Sequence, residues 1–235
     1  MIETIKNILS KLGLFNIVRT MVKKPFNSIR SYFFRKNVLK TFQKLLSILE
    51  EEKIEAFLVF GTLLGAIREK GFIKHDLDLD FGVWEDNDFL KLRECLEAKG
   101  FYLKSEIILL DDETIEYQNY RDKETNISID FYRFTRLDSK NIYYDFLREE
   151  NLSYTESIKK NGGLFVYRYD FEKFSLEDYL FKGKKCKIIK EYDDFLKKVY
   201  GDTYMIPIKN LDTYNISKKQ CYIANKIGKL VYYKK

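Results

Sequence analysis

Three aspartates at alternate positions, Asp76, Asp78 and Asp80, are the residues of this chain whose type and spacing point most directly to chemistry. Successive side chains of a strand point to opposite faces. The three acids would then share one face, with Leu77, Leu79 and Phe81 on the other. Carboxylates held that close repel one another unless a cation lies among them. A set of hard oxygen donors suits Mg²⁺ or Mn²⁺ better than zinc. The competing reading is a half-exposed strand with a solvated acidic face. Aspartate is a poor strand former, and three in alternation weigh against that reading.

The elements that must position these acids lie just upstream. Ala56 to Phe60 is a short apolar run, as a buried strand would be written. Gly61 permits a sharp turn or a close approach to a ligand. Thr62 is a good N-cap, and Leu63, Leu64 and Ile67 give the next segment an apolar helical face. A strand, a Gly-Thr turn and a helix N-terminus make a site suited to phosphate. Arg68, near the end of that helix, carries a fork matched to a diphosphate, or is a surface cation. His75 is the only histidine. On a strand it would point away from the acids, which predicts a structural or supporting role.

The run Gly61-Thr62-Leu63-Leu64-Gly65-Ala66-Ile67-Arg68, then Gly71-Phe72-Ile73 and the D-x-D-x-D at 76 to 80, resembles the signature of the LicD family and its fukutin-related relatives. Lys74 and His75 stand where that family commonly has Pro-Trp. A second block, Tyr192, Leu196, Tyr200-Gly201-Asp202, Met205 and Pro207, is similar to a later family motif, so the likeness covers about residues 40 to 207. The resemblance implies an α+β, nucleotidyltransferase-like mixed β-sheet flanked by helices. It also gives Asp130, in Asn126 to Phe134, the place of an acid that completes the carboxylate set as a third metal ligand or a general base. The bland alternative for Asp130 is an edge-strand acid in a salt bridge.

Composition bounds the rest. At 235 residues with 45% hydrophobic content, the chain can bury a full core in one domain. A net charge of +6 is compatible with nucleotide, membrane surface or nucleic acid and selects none of them. Cys95, Cys186 and Cys221 are scattered, which argues for a reducing compartment and against a disulfide framework or zinc site. With no long apolar span and no secretory-type leader, the expected location is the cytoplasm, with the inner face of the membrane as a further option.

Residues 1–36 read as a basic amphipathic helical arm ahead of an expected LicD-like catalytic domain at 37–235. Its cations are interleaved with Phe26, Tyr32, Phe33 and Phe34, and Pro25 breaks its helical pattern. Peripheral membrane contact and packing against the core are equally good readings of it. Val38 to Lys53 reads as a separate helix, Asp86 to Lys99 as another, and Phe101 to Leu110 with Thr114 to Tyr120 as a hairpin. Lys182, Lys184, Lys185 and Lys187 meet phosphate or solvent. Tyr143, Tyr144, Tyr154, Tyr167 and Tyr169 line an acceptor groove or simply pack.

The resemblance implies metal-dependent transfer of a phospho-alcohol, phosphocholine-like, from a CDP-linked donor to a hydroxyl of a glycan or glycolipid acceptor. Asp78 and Asp80 would hold Mg²⁺ (or Mn²⁺) on the diphosphate with Asp76 beside them. Gly61 and Thr62 would hold phosphate oxygens, and Asp130 would activate the acceptor as CMP leaves. A transferase moving an NMP group, and a non-catalytic membrane-associated scaffold, are the alternatives. Nucleic acid is not an expected partner, since the basic residues form no compact patch on one element.

Overall fold

The structure, a computed structural model, describes residues 15–74, 76–149, 152, 154–207 and 221–233, with backbone alone for 15–28. His75 and the first 14 residues of the basic arm lie outside the described residues, so the expectations for them do too.

The chain opens with one helix, α1 (Phe15–Glu51), which runs through position 25 without a break. The expected break at Pro25 and the separate helix from Val38 are thereby corrected. Proline removes one backbone donor, yet its fixed φ is helical, so a long helix anchored elsewhere can carry it. The anchor is on the C-terminal half, where Val38, Phe42, Leu45 and Leu49 recur at helical spacing and are all buried. The Phe42 ring meets those of Phe72, Phe81 and Phe181. Thr41 and Lys44 both bond Asp122, at 3.1 Å each. Ser31 and Phe34, within the expected arm, also pack inward: the Ser31 hydroxyl donates to the Lys74 carbonyl at 2.6 Å, and Phe34 is buried against Phe72. No described helix is long and apolar enough to cross a membrane.

Strand β1 (Ala56–Leu58) follows, then a short helix α2 (Phe60–Leu64), a π-helical turn (Gly65–Glu69) and strand β2 (Asp78–Trp84). Next come α3 (Phe89–Ala98), the hairpin β3 (Phe101–Leu109) and β4 (Ile115–Asp122), then β5 (Ser128–Arg136) and β6 (Lys140–Leu147). The remainder is α4 (Tyr154–Asn161), β7 (Leu164–Glu172), β8 (Leu176–Phe181), β9 (Lys184–Ile189), α5 (Tyr192–Tyr200) and β10 (Cys221–Tyr232). Lys185 and Lys187, on β9, are paired with Asp178 across the β8–β9 hairpin.

These strands form a ten-stranded mixed sheet in the order β4-β3-β10-β7-β6-β5-β2-β1-β9-β8. The expected α+β architecture, a mixed sheet flanked by helices, is present. Its closure was not expected: β4 also pairs with β5, so β4, β3, β10, β7, β6 and β5 make a barrel from which β2, β1, β9 and β8 extend. The pairs β2–β5 and β1–β9 are parallel. Phe57, Trp84, Phe134, Phe171 and Phe195 interlock where the extension meets α5.

Candidate active site

The site is built on the parallel seam between β2 and β5, with β4 on the far edge of β5. Registers place Asp78 beside Ser128 and Arg121, Asp80 beside Asp130 and Asn119, and Gly82 beside Tyr132 and Tyr117. Directly opposite residues of neighbouring strands share a face, so these form a continuous array.

Asp78 and Asp80 stand on β2 as the alternation requires. Asp76 does not, because the strand begins at Asp78. Asp76 reaches the cluster from a turn in which its amide donates to the Ile73 carbonyl at 3.1 Å. Even so, one carboxylate oxygen from each of Asp76, Asp78 and Asp80 lies within 4.8 Å of the others.

Gly61 makes this convergence possible. A Cβ built there would stand 2.4 Å from Asp76 Oδ2 and 3.1 Å from Asp80 Oδ2. The glycine is thus needed for space, with its φ outside the left-handed region. Thr62 does not cap the helix. Val59 is the N-cap, with φ −131° and ψ 175°, and the strand ends at Leu58 because Phe60 already turns, with φ 43°. The Thr62 hydroxyl is buried and accepts from the Asp80 amide at 2.8 Å, fixing the strand that carries the acids. Arg68 donates to Glu69 and to the Tyr204 carbonyl, each at 2.9 Å, which ties the π turn to the loop after α5.

Electrostatics follow from this crowding. Burial, and then the charge of Asp78, push Asp76 up to about 8. Burial likewise raises Asp80 well above the carboxylate range, aided by Asp78, Asp76 and Asp130. Asp78 is raised by burial, against hydrogen bonding from Asp76 and the nearby charges of Arg30 and Arg121. Asp130 rises to about 7 through burial and Asp78, opposed by hydrogen bonds from Asn119 and Tyr117. Metal-free, the cluster keeps protons that free aspartates would lose; a divalent ion would release them. Converging hard oxygens and a glycine that leaves room for them therefore fit a divalent ion.

The wall around the acids is aromatic. Tyr117 donates to Asp130 Oδ1 at 2.9 Å, Asn119 bonds the same oxygen, and Tyr132 donates to Asp80 Oδ1 at 3.3 Å. Tyr117 and Tyr132 also line a cavity of about 260 Å³ with Tyr143, Tyr144, Tyr154 and Asp145. Three of the five tyrosines considered for a groove are therefore at this cavity, while Tyr169 is buried in the core. Tyr200 borders the cluster: burial raises its hydroxyl first, then the charges of Asp80, Asp76 and Asp78. Sequence reasoning missed Tyr117 and Asn119. Their signal was the alternation of Tyr117, Asn119 and Arg121 along β4, decisive only once β4 is known to flank β5.

A family model described as LicD/FKTN/FKRP, nucleotidyltransferase domain, matches residues 53–190. The match includes every candidate site residue from Gly61 to Asp130 and ends before the Tyr200-Gly201-Asp202 block. The mouse (Mus musculus) ribitol-5-phosphate transferase FKTN is 25% identical over 187 residues, covering 79% of this chain and 37% of that protein. The chain thus spans a little over a third of that relative.

Proposed function

Because the chain belongs to the LicD/FKTN/FKRP nucleotidyltransferase-domain family, we propose that it transfers a phospho-alcohol from a CDP-linked donor to a glycan or glycolipid hydroxyl, releasing CMP. One observation carries the reading: three carboxylates gathered within 4.8 Å, with Asp130 alongside on the next strand. A relative named for moving ribitol 5-phosphate supports the reaction class.

In this reading Asp76, Asp78 and Asp80 hold Mg²⁺ or Mn²⁺, with Asp130 as a further ligand or the base. The ion, when bound, supplies positive charge to the donor diphosphate. The remaining work falls to the chain. Gly61 leaves the acids room to converge. Thr62 acts through the Asp80 amide instead of touching phosphate itself. Arg68, ion-paired with Glu69 and bonded to the Tyr204 carbonyl, would meet the donor diphosphate from the π turn only by exchanging Glu69 for it. Asp130, oriented by Tyr117 and Asn119, takes the proton of the acceptor hydroxyl where it serves as the base. The hydroxyl oxygen bonds to the phosphorus nearest the alcohol as the P–O bond to CMP breaks, and CMP leaves with that electron pair.

The test is product analysis. With CDP-linked alcohols, an acceptor glycan and Mg²⁺, the protein should release CMP. Asp78→Asn should abolish release while leaving the melting temperature of the metal-free protein no lower. Near-normal CMP release from that variant overturns the metal assignment. Pyrophosphate release from CTP instead of CMP release would assign NMP transfer.

A further inference from the structure

Beside the carboxylates the same wall carries the opposite charge. Arg121 follows Asn119 by two residues on β4, and Asn119 touches Asp130, so Arg121 stands one step along the face that holds the acids. Its guanidinium bonds the Asn126 carbonyl at 3.0 Å, makes no ion pair among the described residues, and acts on the Asp78 carboxylate by its charge alone. Lys104 reaches the same place by a different device. The pairing of β3 with β4 shifts between Leu103 and Ser105, so Lys104 is the extra residue of a bulge. Bulges re-aim a side chain and are enriched beside active sites.

Lys104 is half-buried and makes no ion pair among the described residues, although Asp130 is close enough to favour its charge. Burial pushes its ammonium down first, and Arg121 and Arg30 push it further the same way. Arg30 approaches from α1. With Arg121 and Leu77 it lines a cavity of about 250 Å³ that opens between α1 and the β4–β5 turn, next to the acidic turn. Arg30 and Arg121 thus share this cavity, and Lys104, outside its lining on the strand next to Arg121, lies near enough to feel both charges.

We propose that Lys104 and Arg121, with Arg30 at the rim, form a phosphate-binding site that holds an anionic group of the ligand whose other end faces Asp76, Asp78 and Asp80. The inference rests on the transferase reading for its biological ligand, but not for its chemistry. Cations crowded in partly dry surroundings favour a multiply charged oxyanion, as crowded acids favour a divalent cation. The anion is either the donor diphosphate or a phosphate on the acceptor.

The test uses the intact protein and inorganic pyrophosphate without divalent metal, at low ionic strength. Calorimetry should show binding that weakens with added salt. Lys104→Met and Arg121→Met should each weaken it on the order of tenfold or more, and Lys104→Arg should recover most of it. For a readout independent of variants, pyrophosphate should protect Lys104 of the wild-type protein from an amine-acylating reagent, read by peptide mass spectrometry. Protection by CDP alone assigns the donor, and protection by a sugar phosphate alone assigns the acceptor. No protection by pyrophosphate, or equal affinity in wild type and both Met variants, overturns the site. Neither result bears on CMP release or the Asp78→Asn test, so the two readings fail separately.

Discussion

Gly61→Ala isolates the geometry of the acidic cluster from the stability of the fold. The glycine has no positive φ, so alanine takes the backbone without strain. Within a helix the change even favours folding by about 0.8–1 kcal/mol. The new methyl, however, would stand 2.4 Å from Asp76 Oδ2, where ordinary contact starts at 3.4 Å. Asp76 must therefore retreat by about 1 Å, and an error of that size in a positioned group costs roughly 10²-fold in rate. Asp76 is half-buried and approaches from a turn, so it can swing outward instead of unfolding the sheet. The expected variant melts within about 4 °C of wild type but binds Mn²⁺ some 10- to 100-fold more weakly. Paramagnetic titration of free Mn²⁺, run beside a thermal melt, measures both. A Gly61→Ala protein that binds Mn²⁺ within about twofold of wild type would refute the claim that this glycine exists to let the acids converge.

Two further predictions concern the same seam. Thr62→Val keeps the side-chain volume but strips the Asp80 amide of its 2.8 Å partner, which should destabilise by about 1–3 kcal/mol, with Thr62→Ser restoring most of it; denaturant melts read this, and an unchanged midpoint in the valine variant counts against it. Between the ordinary aspartate value of 3.8 and about 8, folded Asp76 retains a proton that the unfolded chain has lost. The native state binds more protons over that window, so this group's contribution to metal-free stability falls as pH rises. Divalent binding needs the acids ionised, so the thermal shift produced by Mg²⁺ should grow from pH 5.5 to pH 8; a shift of equal size at both ends would contradict the coupling.

What the sequence disclosed and what it hid divide along a physical line. Period-two alternation is written within a single strand, and it brought out Asp78 and Asp80 on β2 and Asp130 with Tyr132 on β5. Helical spacing likewise showed the buried stripe from Val38 to Leu49. Relations between strands are not written in either strand. Neither the β4–β5 pairing that closes the barrel nor the Asn119–Asp130 contact is written in the alternation of either strand, although the two residues are only 11 apart in the chain. Local backbone exceptions were hidden too. Phe60 adopts a positive φ that its residue type disfavours, and this ended β1 early and moved Thr62 from a cap to a brace for Asp80. Lys104 gave no signal, because a bulge is a mismatch of register and not a residue pattern.

The position of β5 explains why so much chemistry collects here. One edge pairs in parallel with β2 and the other, along Ser128 to Tyr132, in antiparallel with β4, so the row of Ser128, Asp130 and Tyr132 has a neighbour from each side. The β2 side supplies carboxylates that repel one another; the β4 side supplies Asn119 and Tyr117, which donate, and Arg121, which carries positive charge. Asp130 sits on the dividing line, buried, and bonded by donors from β4 while the charge of Asp78 on β2 raises its proton affinity. In the metal-free protein a group in that position is held in one orientation with its proton affinity raised, features that suit a proton acceptor. Exchanging Asp130 for asparagine would keep the shape and remove the proton site. The loss should therefore fall on turnover far more than on Mn²⁺ affinity if Asp130 is the base, and on both alike if it is a ligand.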